Sequence, residues 1–362
     1  MKLTIEPRLL ADTVAWAARA LPNRPVVPVL AGLLLEADGD QVTISAFDYD
    51  VSSRATIPAD VAEPGRIVLP GRLLAELTKT LPDRAMLDLA ATGAEATLTY
   101  TGGEFGILTL PADDYPALPE PPAPAGSIDA GELATAVNQV HVACSSDDTL
   151  PMLTAIRLDT DGDQLTVAAT DRYRIAVRDT TWQPITDTPI GVCIPGRTLH
   201  DITRALGAGT VDLAFNDGMA AFTNGGRQTT VRLLDDQFID YQARTVLDAN
   251  TTATINPRHL ADAVKRVALV GDRTTPIRLT FTPDEVLVQA ASETGRGSQT
   301  ADCTLDGDPI EIAFQASFLT DALTAVQGEQ AAFGMTGPHR PALITGDGDA
   351  YRYLVMALRT TS

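Results

Sequence analysis

Lysine is nearly missing from this 362-residue chain, occurring only at Lys2, Lys79 and Lys265. Arginine therefore carries almost all of the positive charge, against 47 acidic residues and a net charge of −20. So acidic a balance argues against a surface that attracts phosphate everywhere, but not against a local cationic patch. Cysteine is also scarce. Cys144, Cys193 and Cys303 are odd in number and dispersed among apolar neighbours. They read as reduced core thiols of a cytosolic, cytoplasmic protein, not as bridges or metal ligands. No apolar run reaches the ~18 residues that a membrane-crossing helix needs. Met1 to Glu6 reads as a strand and not as a signal peptide.

Catalytic patterns are missing too. The four histidines, His141, His200, His259 and His339, are scattered. No nucleophile–histidine–acid spacing, phosphate loop, Gly-x-Gly-x-x-Gly helix start or metal-ligand cluster occurs. Asp147-Asp148 and Asp235-Asp236 have no histidine or third acid near them and read as solvated turns. The expectation is a protein with no catalytic site, no metal and no cofactor.

What the chain does have is repetition, at a period of roughly 125 residues. An apolar helical run recurs at Leu10–Val14, Leu133–Val137 and Leu260–Val264. A proline and a strand follow at Pro28–Glu36, Pro151–Asp159 and Pro276–Phe281. A turn and second strand come next, at Gly39–Ser45, Gly162–Ala168 and Pro283–Gln289, closed by Asp48, Asp171 and Glu293. A later strand runs into a helix at Ile67–Leu74, Val192–Leu199 and Ile312–Leu319, and the third copy lacks the Pro-Gly-Arg of the other two. Strands alternate apolar and polar residues, so one face of each sheet is buried. Asp-Gly pairs at 38–39, 161–162, 217–218, 306–307 and 347–348 mark turns. The pattern predicts an α+β protein of three repeated domains, each with helices on one face of antiparallel sheets. Their boundaries are 1–120, 126–246 and 251–362, the first linker being the proline-rich Leu118–Gly126.

Cations recur with the repeats. Arg72 and Lys79 lie seven residues apart, and so do Arg197 and Arg204, which puts each pair on one helix face. Arg258, Lys265 and Arg266 fall on the first helix of the third copy. Such helices suit a phosphate backbone, although ordinary solvated helix faces look the same. Thr170–Ile175 and Tyr351–Arg359 mix arginine with apolar residues, as an apolar groove for an extended partner peptide would. A strand end and a closing core strand fit those residues equally well.

The blocks Trp16–Pro22, Arg24–Gly32, Leu110–Pro119, Asp148–Pro151, Thr170–Arg174 and Val264–Val270 give the chain a further meaning. Over essentially its whole length it resembles the bacterial sliding clamps, the β subunits of DNA polymerase III, of the actinobacterial type. The resemblance implies a head-to-tail homodimer closed into a ring, with helices lining the hole. It implies sequence-independent contact with double-stranded DNA through Arg24, Arg72, Lys79, Arg197, Arg204 and Lys265. The dimer seam would use Phe105 and Ile107 on an edge strand, with Leu269 and Val270. A pocket for the replicative polymerase, the clamp loader and other clamp-motif proteins would involve Leu153, Thr170, Arg172, Arg174, Ile175, Ile239, Pro341, Leu343, Met356, Ala357, Leu358 and Arg359.

The chain departs from the family pattern at that pocket. Ile239 stands in place of a proline in a longer loop, Met356-Ala357 replaces Met-Pro, and Gln315 stands where asparagine is usual. These departures suggest a duplicate clamp that resists a cyclic peptide antibiotic of the griselimycin type while still admitting polymerase. A third reading is an acidic three-repeat scaffold that does not encircle DNA.

Overall fold

The computed structural model describes residues 1–82, 86–235, 237–346 and 348–359. Asp236 of the second acidic pair and Asp347 of the last Asp-Gly turn lie outside the described residues. Among those described there are two α-helices per repeat. They are α1 (Pro7–Ala17), α2 (Gly71–Thr78), α3 (Ala130–His141), α4 (Gly196–Ala205), α5 (Pro257–Val267) and α6 (Ala316–Ala325). α1 and α5 open on a proline, whose fixed φ and missing N–H suit a first turn. The Asn256 side chain caps α5 by accepting the N–H groups of Arg258 and His259 at 3.0 and 3.2 Å. Gln315, one methylene longer, gives α6 no such cap and donates to the Ser317 hydroxyl at 3.1 Å.

The chain forms two compact units. The first is Met1–Ala130 with Ala205–Leu233. One of its sheets has the strand order 60–63, 2–5, 87–92, 95–100, 103–108. The other runs 124–129, 210–215, 219–224, 227–232, 51–58, 41–47, 32–38, 65–70. Leu10, Val14 and Leu74 of α1 and α2 join Leu3, Leu89 and Leu98 of the first sheet and Leu33, Leu35 and Ile44 of the second in one core. The opposite face of the second sheet carries a smaller cluster of Val29, Leu30, Leu34, Phe47, Val68 and Tyr115.

The second unit is Gly131–Arg204 with Leu234–Ser362. Its sheet has twelve strands, ordered 191–195, 155–161, 164–170, 174–181, 348–355, 342–346, 331–335, 251–255, 295–306, 285–292, 276–281, 310–315. The second repeat is thus shared between the units, because its strands extend the sheets of its neighbours. Strand 227–232 pairs with 51–58 of the first repeat, and 174–181 pairs with 348–355 of the third.

The first two repeats share a turn at atomic detail. Tyr49 and Arg172 are the two residues other than glycine with positive φ, 76° and 81°, among the described residues. In each case the preceding aspartate holds the strained residue in place. The Asp48 carboxylate accepts the N–H groups of Asp50 and Val51, and that of Asp171 accepts those of Tyr173 and Arg174.

Candidate functional site

Four residues lie side by side across four neighbouring strands of the second unit. Thr170 is the register partner of Ile175, Ile175 of Leu354, and Leu354 of Leu343. Paired residues of antiparallel strands present their side chains on the same face. Thr170, Ile175, Leu354 and Leu343 therefore form one row. Loop 237–242 lies against it, since Phe238, Ile239 and Leu354 pack on the buried cluster of Ala168, Ile175, Val177 and Tyr241. The Tyr241 hydroxyl anchors the loop by donating to Asp159 at 2.8 Å, and Asp159 is in turn paired with Arg157 at 2.7 Å. Burial, then the charge of Asp159, raises the pKa of Tyr241, so the anchor keeps its proton.

The ends of the row are set by local bonds. Thr170, 1% exposed, donates its hydroxyl to the Arg174 carbonyl at 2.7 Å and accepts the Arg172 N–H at 3.2 Å. Arg172 and Tyr173 are thereby turned outward and exposed. The Met356 N–H continues the strand pairing onto the Tyr173 carbonyl at 2.9 Å and leaves the Met356 side chain 45% exposed. Beyond it the tail crosses to the third repeat, where the Leu358 N–H donates to the Ala313 carbonyl at 2.7 Å. Ala357 and Leu358 are half-buried, and Arg359 is exposed. Pro341 and Leu343 are half-buried, and so is Leu153, whose turn Pro151–Thr154 packs against strand 164–170.

Arg174 corrects the sequence reading. It does not face an open groove: it pairs with Asp171 at 2.8 Å, pairs with Asp321 and donates to the Tyr353 hydroxyl at 3.1 Å, over the Phe318 ring. Burial works against its charge, but Tyr353, Asp321 and Asp171 outweigh it and raise its pKa. Its role is to hold the turn that presents Arg172 and Tyr173. The sequence reading also missed Leu354, Phe238 and Tyr241. Their alternation and aromatic character were visible, but which strand faces which was not.

The expected seam residues differ in exposure. Strand 103–108 is an edge strand, as expected. Phe105 and Ile107, however, share its inward side, opposite Leu98 and Ala96. Ile107 is 3% exposed in the core, and Phe105 lies at the margin of that face, 39% exposed and stacked on Tyr100. Alternation instead turns Glu104, Gly106 and Leu108 outward, with Leu108 72% exposed. Leu269 is 82% exposed, while Val270 is half-buried and its carbonyl accepts the Ser292 hydroxyl.

All six expected phosphate-contacting cations are exposed. Arg24 lies in the loop before Pro28, and Arg72, at the start of α2, donates to the adjacent Asn23 at 3.0 Å. Lys79 follows α2 and is paired with Glu76 at 2.7 Å. Arg197 and Arg204 lie on α4, whose His200 ring stacks on His141 of α3 at 4.3 Å. Burial, then the neighbouring His200, holds His141 below the usual histidine range. Lys265 lies in the last turn of α5, where a cation complements the helix dipole. No cluster of three or more histidine, cysteine or acidic residues able to hold a metal is found among the described residues. No described helix is long and apolar enough to cross a membrane.

Comparison with known proteins supplies the context. Residues 1–119, 127–240 and 247–359 match family profiles for the N-terminal, central and C-terminal domains of the DNA polymerase III beta subunit. The chain is 40% identical to the "Beta sliding clamp" of Streptomyces coelicolor, over 99% of each chain. It is 37% identical to the "Beta sliding clamp homolog GriR" of Streptomyces muensis, again over 99% of each. Among solved structures it resembles the sliding clamp of Bacillus subtilis, with TM-score 0.95, 26% identity and full coverage of both chains. A sliding clamp from Pseudomonas aeruginosa bound to griselimycin is similar at TM-score 0.95 and 26% identity, over 99% of this chain and 100% of that one. With three domain profiles in order and relatives matched end to end, the chain belongs to the DNA polymerase III beta subunit family, the β sliding clamps.

Proposed function

We propose that two copies of this chain close head to tail around duplex DNA and tether a replicative polymerase through the groove beside Thr170, Ile175, Leu354 and Leu343. The observation that carries the proposal is that row. It is apolar but for Thr170, pairs across four strands, and has the exposed Met356 two residues beyond Leu354. An extended peptide with alternate apolar side chains suits such a surface. The clamp loader and other clamp-motif proteins compete for the same groove. The three domains are 1–120, 126–246 and 251–362, and none carries out catalysis. DNA is held by topology, with weak phosphate contacts from the exposed helix cations despite the net charge of −20. The edge strand 103–108 meets the third domain of the partner copy, with Leu108 and Leu269 as its exposed apolar groups.

The test is retention on plasmid after loading, with mass in solution recorded alongside. A dimer that stays on circles and is lost on linearisation is the expected result. A monomer, or binding indifferent to DNA ends, overturns the reading.

Ile239 favours a second, narrower role. It packs in the groove cluster at the position where the family resemblance places proline. One similar protein is a clamp homolog named GriR, and another was solved with griselimycin bound. In that role the chain is a duplicate clamp that admits polymerase peptides and excludes a cyclic peptide antibiotic. Competition of antibiotic and partner peptide on this clamp and on an ordinary one tests it. Equal antibiotic affinity for both sinks it.

A further inference from the structure

Two cavities of about 720 Å³ each open on the second unit, and their charges differ. The one beside loop 237–242 holds Arg157 and Arg352, but each has a carboxylate of its own, Asp159 at 2.7 Å and Asp179 at 2.6 Å. The other lies on the third repeat and holds Arg278, Arg296 and Arg359. No acidic residue lines it among the described residues. Arg278 is paired with Glu311, outside that wall, at 3.2 Å, and the two side chains stay 43% and 52% exposed. Arg296 and Arg359 are exposed, and neither meets an acidic group among the described residues. In a chain with 47 acidic and 27 basic residues such a wall runs against the composition, and cations left without a partner attract anions.

Register builds the wall. Arg278 is the partner of Gln289, and Gln289 of Ser298; in the next row Ala291 is the partner of Arg296. The alternate residues Ile277, Leu279 and Val288 are fully buried, so both rows lie on the face away from the core. Ala291 and Ser298 are short, which leaves the arginines as the tall part of the wall. Arg359 arrives on the C-terminal tail. The Leu358 N–H bonds the Ala313 carbonyl, and Ala313 is the register partner of Arg278. The same tail carries Met356, two residues beyond Leu354 of the apolar row. The row's exposed end and the cavity are thus three steps of chain apart, at most about 11 Å.

We propose that this cavity takes an acidic peptide segment of a partner protein, the aspartates and glutamates that flank an apolar motif seated beside Thr170, Ile175, Leu354 and Leu343, an inference that rests on that row being the motif's seat. Three arginines offer donors only, which matches carboxylates and rejects lysine or arginine. The apolar row holds the motif, and the cavity selects among partners by the charge next to it. On a chain of net charge −20 an acidic flank is otherwise repelled.

The experiment is fluorescence anisotropy of the full chain with an apolar motif peptide, alone and with a short run of glutamates, or of glutamines as a control, at one end or the other. Glutamates at one end should tighten binding ~5-fold in low salt, the worth of a few exposed ion pairs, and the gain should fade as salt rises. Arg278→Gln with Arg296→Gln should remove the gain, leave the affinity of the bare motif unchanged and shift Tm little. Glu311→Gln, which frees Arg278, should enlarge the gain. No gain at either end, a gain that survives the double arginine variant, or a smaller gain in Glu311→Gln would each overturn the proposal. So would inorganic phosphate cancelling the gain at constant ionic strength, which would assign the cavity to a free anion. A bare motif that does not bind, or binds equally to Thr170→Phe, is the separate failure of the groove reading and takes this proposal with it.

Discussion

The junction of the first and second repeats and the junction of the second and third use the same backbone for opposite ends. Each has a strained turn capped by an aspartate, a strand shared with the next repeat, and a loop pinned by a buried tyrosine, Tyr115 or Tyr241, both 4% exposed. The side chains differ. At the first junction Phe47 fills the space against Leu34, Val68 and Tyr115, and the buried hydroxyls of Ser52 and Thr230 meet at 2.6 Å. At the second, Thr170 stands in place of Phe47, Ile175 in place of Ser52, and an apolar row is left beside the exposed Met356. The frame occurs twice, and a few different residues make one copy a sealed seam and leave the other with an apolar row, the proposed groove.

The largest effect should come from unsealing the first junction. Phe47→Ala should cost about 3–5 kcal/mol in urea unfolding without creating any affinity for a clamp-motif peptide. Gained affinity would mean that the frame alone makes the groove. Arg174 has no counterpart at the first junction, where Val51 occupies the equivalent place. Arg174→Met should cost about 2–3 kcal/mol by stranding Asp171 and Asp321, whereas Val51→Ala strands no charge. Thr170→Phe should convert the groove into a copy of the seal, weakening a clamp-motif peptide ~30-fold by fluorescence anisotropy, or about 2 kcal/mol. An unchanged affinity would remove the row from the binding site. Ile239→Pro should raise the affinity of a griselimycin-type peptide ~10-fold while altering the partner peptide far less. The smallest effect concerns the helices. Arg197→Ala with Arg204→Ala should lower the slope of log K against log salt by ~0.9 per lost phosphate contact. Removing Arg72 and Lys79 should lower it less, because Glu76 already neutralises Lys79.

Features with local causes were legible in the sequence. Repeats, turn aspartates, paired helices and the edge strand follow from spacing and from residues within a few positions of one another. The capping by Asp48 and Asp171 is of this kind. Features that depend on register between distant strands were not legible. Leu354 joins the row because it faces Ile175 across 179 positions of chain, and no periodicity reports that pairing. Arg174 looked like a groove cation because its partners include Asp321 and Tyr353, which are remote in sequence. That Ile107 is core and Leu108 exposed was not legible either, because a strand's alternation does not say which of its two sides is the core.

The scarcity of lysine turns this protein into its own chemical reporter. An amine-reactive reagent has three side-chain targets, and two of them, Lys79 and Lys265, are exposed candidates for contact with phosphate. Lys2 is exposed on a strand of the five-stranded sheet and serves as an internal reference. Protection of Lys79 and Lys265 relative to Lys2 would map the nucleic-acid-facing surface in a single labelling reaction. The same ratio, followed over time, would count how long DNA stays in contact with the protein.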